Sequence, residues 1–583
     1  MARKVNERTL LAGIIVFVLV VAGLAYLAAP RPSADGLIQF RNYEEYEAFL
    51  DRTGYFRGGG GDLLLAGDGR FAGLATLEGD VSGTNVQVAG VDELDIVKTD
   101  GAHVYVASGD SVLIVRATPA DSMEVVGTID ARLATGGQLE SVWVTGLFLA
   151  DGRVIVVVSG WRAVEGPITR PSWDVGLWYP GVGLTYVAAF DVTDVTAPAL
   201  AWTHGVSGTP NTARLADGHA YVVVVDWIPR SEEAYLTPTR CEEGACAPMA
   251  LTSIWYDPRA SEAGAVTHIL AVRLADGEGD VLSVMGGGAS TVYMSRTSLY
   301  LTATKWEGGF GEDMKVWTTI HRVSVDGLDL RPVAAGDVPG TLLNQWALDE
   351  SEGRLRVATT SGDWQKPENG VYVLDGDLAI VGAMEGIAPT ERIFASRYVG
   401  DTLYLVTFRR IDPLFVIDLS PPSGPRIVGK LEVPGFSAYL HPYTNGRVVG
   451  VGQEDGAVKV SLFDVRDRAR PEELDTYLTP HPSWSPALWD SKAVLADATD
   501  GLLVVPVDAW VWDPEGKPTD SGAYVFQVSA DGITHRGIVR HAEGGVERAL
   551  YIGDVLYTLS WTSLTASSLL DLAELDTLQL ATR

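Results

Sequence analysis

The sequence predicts an all-β fold: a β-propeller of four-stranded antiparallel blades, eight or nine in number. Three observations carry this. The stretch from Glu391 to Gly435 reads as four short strand signals, Arg392 to Val399, Thr402 to Phe408, Leu414 to Leu419 and Arg426 to Val433. Each is β-branched or aromatic and is bounded by Gly, Pro or Asp, the chemistry of strands joined by tight turns. The opening hairpin of that unit then recurs along the chain. Asp-Gly, Asn-Gly or Gly-Asp stands at most of its turns, supplying the positive φ angles that two-residue hairpin loops need.

Taken in order, the hairpins are IVKTDGAHVYVAS from Ile96, VWVTGLFLADGRVIVVV from Val142, ARLADGHAYVVVV from Ala213, TVYMSRTSLYLTA from Thr291 and WALDESEGRLRVAT from Trp346. FASRYVGDTLYLVTF, YLHPYTNGRVVGVG from Tyr439, LWDSKAVLADATDGLLVVPV from Leu488 and RALYIGDVLYTLS from Arg548 complete the series. Third strands follow, such as SVLIVRA, TYVAAFDV, HILAVRL and KVSLFDV, and fourth strands such as MEVVGTID and RIVGKLEV close the units. A four-stranded repeat of roughly 55 residues is a blade signature, a little longer than common propeller families use. Tandem sandwiches are the alternative, but repeated units without long crossovers favour a ring. Eight and nine blades both stay open, because the last unit has the irregular third strand TSLTASSLLDL and can share a blade with a strand at Asn85 to Val88.

Ahead of the ring the sequence divides into short segments. Residues 1–9 carry Arg3, Lys4 and Arg8 and form a cytoplasmic N-terminus; 10–29, from Leu10 to Ala29, are an unbroken apolar run. Twenty residues at 1.5 Å rise span the ~30 Å hydrocarbon layer, with the basic flank inside, so this is expected to be a transmembrane anchor or a signal segment. Either places the remainder outside the cell, as a single-pass protein if the segment is retained. Residues 36–52 space Phe40, Tyr43, Tyr46, Phe49 and Leu50 as an amphipathic helix does. Residues 53–83 are a Gly-rich linker, with GGGG at 58–61. The propeller domain is expected over 84–583.

A formal net charge of −31 argues against nucleic acid as a partner, since phosphate binding needs clustered Lys and Arg. The only cysteines, Cys241 and Cys246 in TRCEEGACAP, are expected to form a small loop disulfide, metal binding being disfavoured by the lack of further Cys or His nearby. Asp92, Glu93, Asp95 and Asp100 do not have EF-hand spacing, and turn chemistry accounts for them. No metal and no cofactor is expected.

Many ordered phrases then resemble one family. TNVQVAGVDELDIVKTDG (84–101), LLNQWALDE (342–350), GIAPTERIF (386–394), LVTFRRIDPLFVIDLS (405–420), VPGFSAYLHPY (433–443) and ALYIGDVLYTLS (549–560) are similar to those of archaeal and bacterial secreted proteins with a C-terminal β-propeller distantly related to WD repeats. The resemblance covers about 84 to 580. It implies fold and an extracellular location, and brings no catalytic residues with it.

Blade geometry indicates the working face. Loops joining second to third strands share a face with the connections between blades, and here they are long and rich in tryptophan. Trp161, Trp173, Trp178, Trp227, Trp255, Trp306, Trp510 and Trp512 fall in or beside them. Such rings either bind a partner or pack among themselves to order the loops. Segments entering the inner strands offer Asn344, Gln345, Arg392, Arg397, His441 and Arg548 as polar lining of a central channel. No nucleophile elbow or H-E-x-x-H occurs. The sequence therefore reads as an extracellular binding or scaffold module for a protein or glycan, anchored in the membrane by its N-terminal helix. The alternative is a carbohydrate-active propeller enzyme, glycosidase or lyase, with carboxylates at the axis.

Overall fold

The computed structural model describes residues 36–53 and 81–580, apart from 164–167, 170–180, 232–233, 261–262, 308–314, 364, 410–411 and 512–519. Strands leave each inner hairpin in chain order, so every unit becomes an antiparallel sheet stepping outward from the axis. Among the described residues nine such sheets form, over 97–130, 141–207, 209–286, 291–339, 348–387, 392–433, 436–478, 495–539 and 546–579; they are blades 1 to 9. The fourth strand pairs with the third through a register shift in blade after blade, as between Ile114 and Val115, Val416 and Ile417, and Leu462 and Phe463. A bulge there sharpens the twist of the outer strand.

Neighbouring blades bury apolar faces against one another all round the ring. Val222 and Leu270 of blade 3 share a core with Val157 and Val187 of blade 2, and Val504 and Val525 of blade 8 with Val546 and Leu556 of blade 9. The ring closes where Tyr557, Leu564 and Ala566 of blade 9 enter the core of blade 1 with Val115 and Ala117. Fully burying a side chain of this size contributes roughly 1.5–3 kcal/mol, so the cores between blades hold the ring. The Tyr557 hydroxyl donates to the Ala117 carbonyl at 2.7 Å across the closure.

Blade 9 thus has four strands of its own, and the expectation of a blade shared with Asn85 to Val88 is corrected. Its third strand, Ser563–Ser568, looked irregular because it is rich in hydroxyls. These are bonded within the ring, Ser563 Oγ to His541 Nδ1 and Thr565 Oγ1 to Thr577 Oγ1. The Asn85 to Val88 stretch forms no strand of this sheet; ahead of it, Val81 makes one isolated bridge to Ile552.

A recurrent contact holds the face that carries the turns between first and second and between third and fourth strands, here the hairpin face. A Cβ added at Gly127, Gly336, Gly382 or Gly429, all in fourth strands, would lie 1.8–2.4 Å from a carbonyl in the third-to-fourth turn of the next blade, those of Val195, Leu378, Pro422 and Arg468. Where no glycine stands, a polar side chain makes the contact. Asp475 accepts the Ile533 N–H at 2.8 Å, Asp576 accepts that of Met123 at 2.7 Å, and His204 Nε2 lies 2.6 Å from the Gly277 oxygen.

Two blades are extended at their outer edges. The hairpin Thr239–Glu242 with Ala245–Pro248 adds to blade 2, and Cys241 and Cys246 in it are joined by a disulfide. Ile254–Tyr256 adds to blade 3 and is itself paired by Ile38–Gln39. The α-helix Tyr43–Thr53 follows, with Asn42 Oδ1 accepting the Glu45 N–H at its start. Its apolar stripe, Tyr46, Phe49 and Leu50, packs with Phe40 on Ile228, Ile254, Tyr256 and Met285, covering an edge that would otherwise expose unpaired backbone. Residues 10–29 lie outside the described residues, as does most of the Gly-rich linker. No helix among the described residues is long and apolar enough to cross a membrane.

Candidate functional site: a filled axis and an aromatic face

The chain enters the ring on the hairpin face and runs up its axis before starting blade 1. Ser82 N–H donates to the Tyr551 carbonyl of blade 9. Asn85 Nδ2 donates to the Tyr439 hydroxyl of blade 7 and faces the Ser491 and Val494 carbonyls ahead of blade 8. Gln87 Nε2 reaches the Gln345 and Leu348 carbonyls at blade 5. Val91–Glu93 pairs with the first strand of blade 3, and Asp95 exchanges backbone bonds with Leu147 of blade 2. This segment, an axial plug, occupies the place where an open channel was expected.

The acids of the plug are spent on it. Asp92 takes the Lys98 ammonium at 2.7 Å. Glu93, almost fully buried, accepts from Gln87 N–H and Gln345 Nε2 and lies 3.9 Å from Arg214. Asp95 takes Arg548 Nε at 2.9 Å; burial alone would raise its carboxyl, but Arg548, Lys492 and Lys98 hold it below the usual range. Arg548 also pairs with Asp490, and Arg356 with Asp349. Asp100 accepts the Ala102 and His103 N–H groups and the Tyr105 hydroxyl in its turn.

The six residues read as channel lining therefore divide. Gln345 and Arg548 are buried structural partners of the plug. Asn344 caps a short 3-10 turn through the Trp346 N–H, and Arg392 opens the first strand of blade 6, half-buried opposite Phe408. His441 is buried, its Nδ1 2.9 Å from the Tyr439 hydroxyl; burial, then the charge of Arg397, pushes its pKa down to about 3, so it is neutral. Arg397 stacks on Trp346, 4.1 Å from the ring centre.

Of the tryptophans named from the sequence for the opposite face, Trp173, Trp178 and Trp512 lie outside the described residues. The other tryptophans named from the sequence are dispersed. Trp227 ends the second strand of blade 3 at 37% exposure, and Trp306 is half-buried in blade 4 opposite Val316. Trp255 lies in the outer strand of blade 3, half-buried and paired with Gln39 of the N-terminal strand. Trp510 is 61% exposed beyond blade 8, its N–H bonded to the Pro482 carbonyl.

Trp510 has company that the sequence reading missed. Trp489 is 66% exposed and lies 6.1 Å from Trp484, ring to ring, in the connection from blade 7 to blade 8; Trp561, 56% exposed, sits in the second-to-third turn of blade 9. Asp508, at the end of the second strand of blade 8, pairs with Trp484. Gly545 approaches so closely that a Cβ there would be 2.4 Å from Asp508 Oδ1, while Gly544 adjoins Trp561. Burial, then the negative charge of Glu547, holds the Asp508 carboxyl above the usual range. His481 and Arg540 flank Asp520 at 3.3 and 3.6 Å at the same end of the blade. Further round, Phe394, Phe408 and Phe436 of blades 6 and 7 form a half-buried trio with centres 4.9–5.4 Å apart. The available signal was the rule that blade connections share the loop face: applied to residues 480–494, it selects Trp484 and Trp489.

The described residues contain no group of three or more His, Cys, Asp and Glu side chains arranged to hold a metal ion. Among known proteins, the chain is 28% identical over 553 residues to an uncharacterised protein of Archaeoglobus fulgidus, covering 82% of this chain and 81% of that one. It is 28% identical over 570 residues to an uncharacterised protein of Methanocaldococcus jannaschii, covering 82% and 80%. A crystal structure of a Lactobacillus plantarum protein aligns at 12% identity and a TM-score of 0.34 over 56% of this chain and 93% of that one, too low to bear on the fold. Residues 81–572 match the family described as Beta propeller domain, and the chain belongs to that family.

Proposed function

We propose that the protein is an extracellular binding module that holds a glycan on the aromatic surface of blades 8 and 9, carried at the membrane by its N-terminal segment. The observation that carries this reading is that Trp489, Trp510 and Trp561, each more than half exposed, all stand in loops and connections of blades 8 and 9 on the face where the partly buried Asp508 ends its strand. Sugar rings offer C–H faces that stack on indole and hydroxyls that a carboxylate accepts, and large aromatics exposed on a rigid scaffold are typical of binding surfaces. The plug supports the same reading by occupying the axis, so that a ligand would meet a face of the ring rather than a through-channel. A glycan array probed with the full chain in detergent tests it. Binding that is lost in Trp489→Ala/Trp561→Ala supports the proposal, and a surface-protein partner with no glycan hit would turn it toward the protein-binding form.

One observation favours a second reading, the carbohydrate-active enzyme. Asp508 has its pKa raised by burial and by Glu547, which is how a general acid is kept protonated beside a second carboxylate. Reducing-end release from a bound glycan, abolished in Asp508→Asn with binding intact, would establish turnover. Binding without release would leave the module reading standing.

A further inference from the structure

Asp508 stands apart from the other carboxylates that end strands. Asp191 takes the Thr193 N–H and hydroxyl, Asp418 takes Ser420 and Arg426, and Asp464 takes Arg447 and Arg466, so each holds the turn it begins. Among the described residues no N–H group, hydroxyl or base meets the Asp508 carboxylate, and the charged side chain that acts on it is another acid, Glu547. It caps no turn and closes no ion pair. A half-buried charged group that the fold itself leaves unused calls for a partner from outside.

Its surroundings specify the chemistry of that partner. Val505 and Val507 turn into the core with blade 7 and Val504 into the core with blade 9, so alternation along the strand puts Asp508 on the blade 9 side. Gly545, at the entrance to blade 9, leaves no room for a Cβ beside the carboxylate. Trp484 is directly opposite Asp508 in an antiparallel pair, which sets the two side chains on one face with their Cβ atoms within about 5.5 Å. The Trp484 ring lies 6.1 Å from that of Trp489, and a Cβ on Gly544 would lie 3.9 Å from the Trp561 Cβ. Indole rings thus adjoin a carboxylate that has no base. An ammonium answers both, by cation–π attraction to the rings and by charge to the carboxylate, and a chain of net charge −31 draws cations toward it.

We propose that the glycan held at blades 8 and 9 contains a sugar with a free amine, such as unacetylated glucosamine, its ammonium at Asp508 and the C–H face of its ring on the tryptophans. This rests on the glycan reading above and adds the charge of the sugar to it. An N-acetyl group would remove the charge and place bulk where Gly545 closes on the carboxylate, so the acetylated sugar is disfavoured twice.

The test compares tetrasaccharides of glucosamine, N-acetylglucosamine and glucose binding to the full chain in detergent, by calorimetry near neutral pH. The glucosamine oligomer should bind at least tenfold more tightly than either neutral one, and added salt should narrow that margin. Asp508→Asn should abolish the margin without lowering the melting temperature, since it removes a charge that the fold leaves unpaired. Equal binding of charged and neutral oligomers, binding undiminished in Asp508→Asn, or glycan-array hits confined to neutral or acidic sugars would overturn the amine assignment and leave the glycan reading standing. No glycan hit of any kind would remove both, and a lysine homopolymer bound as tightly, with the same dependence on Asp508, would overturn the sugar as the carrier of the amine. If Asp508→Asn does not fold, the wild-type comparison of the glucosamine and N-acetylglucosamine oligomers decides.

Discussion

Replacing Arg548 by Met tests whether the axial segment locks the ring. The Arg548 side chain is 5% exposed and holds a carboxylate on each side, Asp95 of the plug and Asp490 ahead of blade 8. Methionine nearly matches its aliphatic stem but takes the ion pair from both carboxylates, leaving Lys492 and Lys98 as the nearby cations. Breaking a buried pair in this way costs about 3–5 kcal/mol. With an unfolding entropy of about 2.1 cal/mol/K per residue over roughly 500 residues, ~4 kcal/mol corresponds to a melting shift of only ~4 °C, so chemical denaturation is the sharper assay. Hydrogen exchange locates the effect. The amides of Ser82, Val91 and Asp95, bonded to Tyr551, Val88 and Leu147, should lose protection before those of the blades. Adding Asp95→Asn should recover part of the loss, because it removes one of the stranded charges. Arg548→Met with unchanged denaturation and unchanged plug exchange would refute the reasoning and reduce the axial ion pairs to decoration.

Four other outcomes follow from the structure. Trp489→Ala and Trp561→Ala should each weaken ligand binding about thirtyfold or more with little change in melting, whereas Trp346→Ala, 7% exposed in the core, should cost about 3–5 kcal/mol; the reverse pattern would mean that the exposed rings serve packing. Gly429→Ala should destabilise by about 1–3 kcal/mol, since its Cβ would fall 2.0 Å from the Arg468 carbonyl, while Gly456→Ala, with nothing within 4 Å but φ of +82°, should cost less, about 1 kcal/mol; urea midpoints compare them. Cys241 and Cys246 peptides from unreduced protein should weigh two hydrogens less than the dithiol by mass spectrometry, and Cys241→Ser/Cys246→Ser should leave the ring folded. Burial lowers the pKa of His541 to about 4, so the unfolded chain binds the extra proton and stability should fall as pH drops from about 6.5 toward 4; His541→Gln should reduce that slope, leaving the part that comes from buried His441, and an unchanged slope would exclude His541 as a source.

Most of the ring was legible because its information is local. A two-residue turn with Asp-Gly or Gly-Asp dictates its own backbone, and alternating Val, Leu and Tyr state which face is buried, so the inner hairpins could be counted from Ile96 to Arg548. Gly429 was legible as part of RIVGKLEV but not its purpose, which exists only once the Arg468 carbonyl of the next blade arrives. The plug was not legible at all. Its bonds join Ser82 to Tyr551 and Asn85 to Tyr439, separations of 469 and 354 residues, and no periodicity marks such pairs. Arg397 and Arg548 look alike in the sequence, each an arginine within the first strand of its blade. Only the placement of Asp95 and Asp490 makes one a paired structural cation and leaves the other with free N–H groups. The aromatic face was half legible: second-to-third loops were weighed and yielded Trp510, while blade connections on the same face were not, and Trp489 was passed over.

The plug also explains why the axis is polar when the cores between blades are apolar. First strands lean toward the axis, and a ring of nine leaves between them a gap wider than their own side chains can fill. An apolar strand threaded there would bury well but would slide, because each apolar contact is much like the next. Ion pairs cannot slide at that cost. Displacing Glu93 from Arg214, or Asp95 from Arg548, by a single residue would strand both members of each pair in the interior, a penalty of several kcal/mol apiece. Because those partners belong to blades 3 and 9, one register of the plug fixes these two blades relative to each other. Apolar replacement of a whole pair, Glu93→Leu with Arg214→Met, leaves the Gln345 amide and the Gln87 N–H unmet but strands no charge, so it should cost less than either single replacement while broadening the exchange of Gln87 and Val91 amides into more than one population. A single sharp population in that variant would show that backbone pairing of Val91–Glu93 with blade 3 is sufficient to set the register.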